Sequence, residues 1–173
     1  MGLTTDKGEI GEAEVIADLR RRGHGVAIPF GHSLPFDLVL VRRDTGALER
    51  VQVKYTTSDG RVVKVRCGSY SAWVSYRYQA TMVDWIAVFD ASGGRVYYVH
   101  SCEWDGSTVM NLRLEPTANN QAIFVRWAQD FTAPIAAIAL PATHSAAIAG
   151  RGLEPERGFE PLTLRLRIAC SAN

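Results

Sequence analysis

Asp37, Gln52 and Lys54 are the residues whose types and spacing point to chemistry. Asp37 lies in the run Phe36-Asp37-Leu38-Val39-Leu40-Val41, the other two in Val51-Gln52-Val53-Lys54. Both runs have strand character, and the turn formers Asp44-Thr45-Gly46 lie between them. Folding the chain back around that turn sets Asp37 opposite Gln52 and Val53, because residues equidistant from a hairpin turn face each other. Side chains alternate across a strand, so Gln52 and Lys54 share one face and Val51 and Val53 the other. A carboxylate, an amide oxygen and an ammonium then converge over an apolar layer, a set suited to holding a divalent cation against a phosphate.

The flanking elements must position that patch. Asp6 followed by Glu9 reads as a capping box, and Gly23 after Arg20-Arg21-Arg22 as a C-cap, which predicts a helix over 7–22. Its apolar stripe is Val15, Ile16 and Leu19, and one step back along the stripe lands on Glu12. An acid there either serves the N-terminal dipole near solvent or is turned toward the patch; the helix alone does not decide. A short strand over 25–29 leads through a turn-rich loop into the Asp37 strand, and Ser58-Asp59-Gly60 turns into a third strand over 61–66. Residues 69–78 bring Tyr70, Trp73, Tyr76, Arg77 and Tyr78 together, a mixture that stacks on bases or simply packs. A hairpin over 83–89 and 95–99, a strand over 108–114 and a closing helix over 123–131 complete the expected order, an α/β or α+β arrangement around a mixed sheet.

A chain of 173 residues that is 47% hydrophobic buries one ordinary core, so residues 1–132 are expected to form one domain. Residues 133–173 are expected to be an Ala/Pro-rich linker and a disordered tail. The net charge of +1 is unevenly placed: residues 42–77 hold eight Lys/Arg against Asp44, Glu49 and Asp59. A basic face beside the patch attracts a polyanion. Cys67, Cys102 and Cys170 are odd in number and scattered, which argues against a disulfide framework and fits a reducing cytoplasm. His24, His32, His100 and His144 show no metal-ligand spacing. Residues 133–149 are too weakly apolar and too interrupted by Pro134, Pro141 and His144 to span a bilayer, and no membrane partner is expected. Gly158-Phe159-Glu160-Pro161 is what a GGN-TTC-GAA-CCN stretch resembling a tRNA-gene T-arm would encode, so the tail reads as translation into such a gene from a mobile element inserted beside it.

Lys7-Gly8-x-x-x-Glu12, Leu34-Pro35-Phe36-Asp37-Leu38-Val39 and Val51-Gln52-Val53-Lys54-Tyr55, with the later Asp84-Trp85 strand, together resemble the PD-(D/E)XK nuclease superfamily. The similarity is to the branch with archaeal Holliday-junction resolvases and homing endonucleases. It implies a restriction-endonuclease-like mixed sheet flanked by helices and a magnesium- (or manganese-) dependent DNA endonuclease. It further implies Asp37, the Gln52 side chain, the Val53 carbonyl and Glu12 as metal ligands, the last directly or through water. Lys54 would orient the nucleophile or stabilise charge on the phosphorane. Arg61, Lys64, Arg66, Tyr76 and Arg77 would contact DNA, and symmetric cutting of two strands would favour a homo-oligomer, a dimer or a tetramer. Gln52 departs from the Glu or Asp most members carry. A neutral amide is the weaker ligand, compatible with activity as in some homing endonucleases of the superfamily, or with a degenerate module that binds nucleic acid without cutting.

Overall fold

The computed structural model describes residues 3–31, 33–70, 75–104, 107–116 and 125–135. Residues Met1–Pro134 form one compact unit. The expectations for the tail beyond Ile135, and those for His32, Trp73 and Cys170, lie outside the described residues. No helix among the described residues is long and apolar enough to cross a membrane.

The first element, α1 (Leu3–Arg21), begins earlier than the sequence predicts. Asp6 stands inside the first turn instead of capping it, so its carboxylate acts through the helix dipole. The C-terminal stop is as expected. Gly23 adopts φ 83°, its N–H donates to the Arg20 carbonyl at 2.9 Å, and the His24 N–H donates to the Leu19 carbonyl at 3.1 Å. These two bonds make a Schellman motif, and glycine occupies its left-handed position without strain.

Among the described residues nine strands follow: β1 (Gly25–Ala27), β2 (Leu38–Val41), β3 (Leu48–Thr56), β4 (Val62–Arg66), β5 (Gly68–Tyr70), β6 (Ser75–Arg77), β7 (Trp85–Asp90), β8 (Arg95–His100) and β9 (Val109–Arg113). The main sheet runs β1-β2-β3-β7-β8, with β3 and β7 parallel and the other neighbours antiparallel. The fold is the expected α/β arrangement around a mixed sheet. β4 pairs with β9 and β5 with β6 in two separate ribbons.

Alternation along the strands divides the core in two. On one face Val15 and Leu19 of α1 pack with Leu38, Leu40, Val51, Val53, Trp85, Ala87 and Tyr98. On the other, Ile86, Val88, Tyr97 and Val99 pack against Val63 and Val65 of β4, Met110 and Leu112 of β9, and Trp104 of the short helix α2 (Ser101–Trp104). β7 is buried along its whole length, as a central strand covered on both faces must be.

The closing helix expected over 123–131 does not form in the described part. Trp127 instead bridges to Arg113, the Arg113 N–H donates to the Arg126 carbonyl at 2.8 Å, and only Ala128–Phe131 coils, as a 3-10 turn. The backbone groups a helix would have used internally extend the edge of β9 instead.

Candidate active site

The β2–β3 register is Leu38↔Val51 through Val41↔Leu48, and the turn between them closes at Gly46, whose N–H donates to the Arg42 carbonyl at 2.9 Å. One residue beyond that ladder, the Asp37 N–H still donates to the Val51 carbonyl at 3.0 Å, so Asp37 stands beside Gln52 as the hairpin argument requires. β3 runs on past the end of β2, leaving the Val53 N–H without a strand partner on that side. Asp37 Oδ2 takes it at 2.7 Å and also accepts from Gln52 Nε2. The same amide nitrogen lies 3.3 Å from the Val53 carbonyl oxygen.

The partly positive amide group of Gln52 therefore stands between a carboxylate oxygen and a main-chain carbonyl oxygen, the place a cation would take. Turning the amide over presents its oxygen instead, since the two ends of a glutamine amide have nearly the same shape. Among the described residues no three of His, Cys, Asp and Glu are grouped to hold a metal ion. The donor set that fits one is mixed: Asp37, the Gln52 amide and the Val53 carbonyl, all oxygen donors of the kind magnesium accepts.

Gln52 is buried and Lys54 half-buried, both on the sheet face away from α1. Lys54 Nζ donates to the Tyr78 hydroxyl at 2.8 Å and lies 5.0 Å from the centre of that ring. Burial holds the Lys54 ammonium below its usual range; Asp37 pulls it back up and Arg66 pushes it further down.

Glu12 comes from the opposite face. A Cβ placed on Gly11 would meet Val53 Cγ1 and Tyr55 Cβ, each at 3.5 Å, so this turn of α1 lies directly on β3. Glu12 follows, half-buried. Gly11, Val15 and Leu19 form the helix's buried line, which leaves Glu12 at its margin. Tyr55 packs, meeting Phe89 edge-on at 5.9 Å.

The basic residues divide by position. Lys64 and Arg66 are the outward residues of β4, alternating with buried Val63 and Val65. Arg61 is exposed just before that strand, and Arg77 and Tyr76 are exposed on β6. Tyr76 meets Tyr78 edge-on at 5.6 Å, so β6 borders the Lys54 end of the patch. Tyr78 belongs to the aromatic run that the sequence read as stacking on bases or packing; its bond to Lys54 is a contact that reading did not include.

A family model described as PD-(D/E)XK endonuclease matches residues 3–134. Among solved structures, a bacterial homing endonuclease, I-Ssp6803I, matches with 26% identity and a TM-score of 0.54, over 70% of this chain and 84% of that one. No curated protein sequence matches the chain.

Proposed function

Because the chain belongs to the PD-(D/E)XK endonuclease family, whose members generally use divalent metal ions, we propose that it is a magnesium- or manganese-dependent endonuclease that hydrolyses DNA phosphodiester bonds at a particular site or structure. The observation that carries this reading is the Gln52 amide held between Asp37 Oδ2 and the Val53 carbonyl, with Lys54 two residues on along the same face. Asp37, Gln52 and the Val53 carbonyl would hold the ion, with Glu12 adding a ligand directly or through water. A bound divalent ion polarises a phosphate oxygen and lowers the pKa of a coordinated water.

The chain's own groups do the rest. Asp37 is fixed by the Val53 N–H before any ligand arrives, so its carboxylate needs little rearrangement to meet one. Lys54 presents an ammonium to the phosphate oxygens on which charge develops. Arg61, Lys64, Arg66 and Arg77 neutralise neighbouring phosphates, and Tyr76 offers an exposed ring for stacking. Residues 1–132 would carry the activity, in the cytoplasm, as a dimer or tetramer where two strands are cut symmetrically.

The test is cleavage of supercoiled plasmid and a panel of branched DNAs with magnesium or manganese, comparing the wild-type chain with Asp37→Ala and Lys54→Ala. Metal-dependent cutting lost in both variants supports the reading. Tight DNA binding with no cutting under either metal would favour a module of the same fold whose amide at position 52 has left it inert.

A further inference from the structure

Resting on that nuclease reading, we propose that Tyr78 is a positioning residue: its hydroxyl, 2.8 Å from Lys54 Nζ, holds the catalytic ammonium apart from Asp37 and aimed at the substrate phosphate. Lysine reaches its charge through four rotatable bonds, and an ammonium with a carboxylate nearby collapses onto it unless another acceptor competes. The competing carboxylate here is Asp37, whose charge Lys54 feels. An ion pair between them would occupy the carboxylate that the metal needs and withdraw the cation from the phosphate.

Tyr78 is built to prevent this. Its N–H donates to the Cys67 carbonyl at 3.0 Å, and its carbonyl accepts from Trp104 Nε1 at 3.1 Å. Tyr78 is 4% exposed, within the core formed by β4, β7 and β9. With backbone and ring both fixed, the hydroxyl is a stationary acceptor, and the ring's π-face adds attraction for the ammonium. Burial pushes the Tyr78 phenol well above its usual range, with the Tyr76 phenol and the Asp37 carboxylate pushing the same way, so the hydroxyl stays neutral and offers its lone pairs at any working pH. Tyr76, exposed and edge-on to Tyr78, places the outer end of this aromatic pair where substrate arrives.

The experiment compares wild type, Tyr78→Phe, Lys54→Ala and the double variant in single-turnover cleavage of supercoiled plasmid, in DNA affinity, and in the rate at which acetic anhydride acylates Lys54 in the metal-free protein. Removing a hydrogen bond to a charged group slows cleavage on the order of 10- to 100-fold. The role predicts that loss in Tyr78→Phe with unchanged DNA affinity, several-fold slower acylation of Lys54 as its ammonium pairs with Asp37, and no further loss in the double variant beyond Lys54→Ala. An unchanged rate, unchanged acylation, or an equal loss in the Lys54→Ala background overturns it. Should Tyr78→Phe fail to fold, 3-fluorotyrosine at position 78 keeps the ring and weakens the acceptor; a change in rate and acylation supports the role and no change in either overturns it. A wild-type chain that cuts no DNA overturns the nuclease reading and the catalytic part of this role, while the acylation comparison still tells whether the phenol holds the amine.

Discussion

The Asp37 carboxylate and the Val53 main-chain N–H are joined by a 2.7 Å hydrogen bond at the point where β2 stops and β3 continues. One oxygen thereby does the work of a missing strand, and the same carboxylate is the candidate metal ligand. Fold and site share an atom, so substitutions at Asp37 act on stability and on chemistry, and the two effects are separable.

Asp37→Ala leaves the Val53 N–H and the Gln52 amide without their acceptor, a loss of about 1–3 kcal/mol by urea denaturation. Asp37→Asn retains an oxygen for Val53 and regains most of that stability. Both variants lose the carboxylate, so both should lose metal-dependent cleavage on the order of a thousandfold and any rise in melting temperature caused by magnesium. Asp37→Asn that still cleaves at the wild-type rate would remove Asp37 from the ligand set.

Gln52→Glu tests the amide as a donor. Without metal, two adjacent carboxylates repel and the amide's hydrogen bond to Asp37 is gone, so the metal-free protein should melt lower. With magnesium the added charge should tighten binding by about tenfold or more, close to 1.4 kcal/mol, by calorimetric titration. Equal magnesium affinity in the two proteins would place the ion away from residue 52.

The site was legible in the sequence where strand geometry alone fixes it. Turn position and side-chain alternation sufficed for the Asp37 and Gln52 pairing and for Lys54 sharing the Gln52 face. Glu12 was legible only as an anomaly, because the close approach of Gly11 to Val53 depends on how α1 seats on the sheet. The contact of Tyr78 with Lys54 was hidden for a different reason. It spans 24 residues and comes from β3 and the end of β6 meeting across a core, a relationship no local pattern encodes. The closing helix failed because Arg126 and Trp127 found a partner in Arg113 of β9, a tertiary choice that overrides local periodicity.

Asp84 anchors the start of β3 to the start of β7, accepting from the Arg50 N–H at 2.7 Å, from Nε at 2.9 Å and from NH2 at 2.8 Å. Burial works to raise the Asp84 carboxyl, but the Arg50 hydrogen bonds and charge outweigh it and hold the carboxyl below its usual range. A depressed folded-state pKa means that the stabilisation is fully present above the unfolded value of about 3.9 and is lost as pH falls through the lower folded value. Asp84→Asn should cost about 1–2 kcal/mol at pH 7 by urea denaturation, partial exposure limiting the figure. The difference from wild type should shrink as the pH is lowered below about 4. A gap that stayed constant into strong acid would mean the pair adds nothing through its charge.

Lys64 and Arg66 point outward from β4 while Val63 and Val65 fill the core, so their side chains can be removed without touching the packing. Each to alanine should leave the melting temperature unchanged and weaken DNA binding alike across sequences, lowering the slope of log affinity against log salt by about 0.9 for each phosphate no longer neutralised. Arg66 differs in one respect: its charge also depresses the Lys54 ammonium, whereas Lys64 has no such reach among the influences on that group. Arg66→Ala should therefore change the single-turnover cleavage rate at saturating protein, and Lys64→Ala should change affinity alone. Filter binding across a salt series, paired with single-turnover cleavage of the same DNA, separates the two. Identical behaviour of both variants in both measurements would reduce Arg66 to a phosphate-neutralising charge like its neighbour.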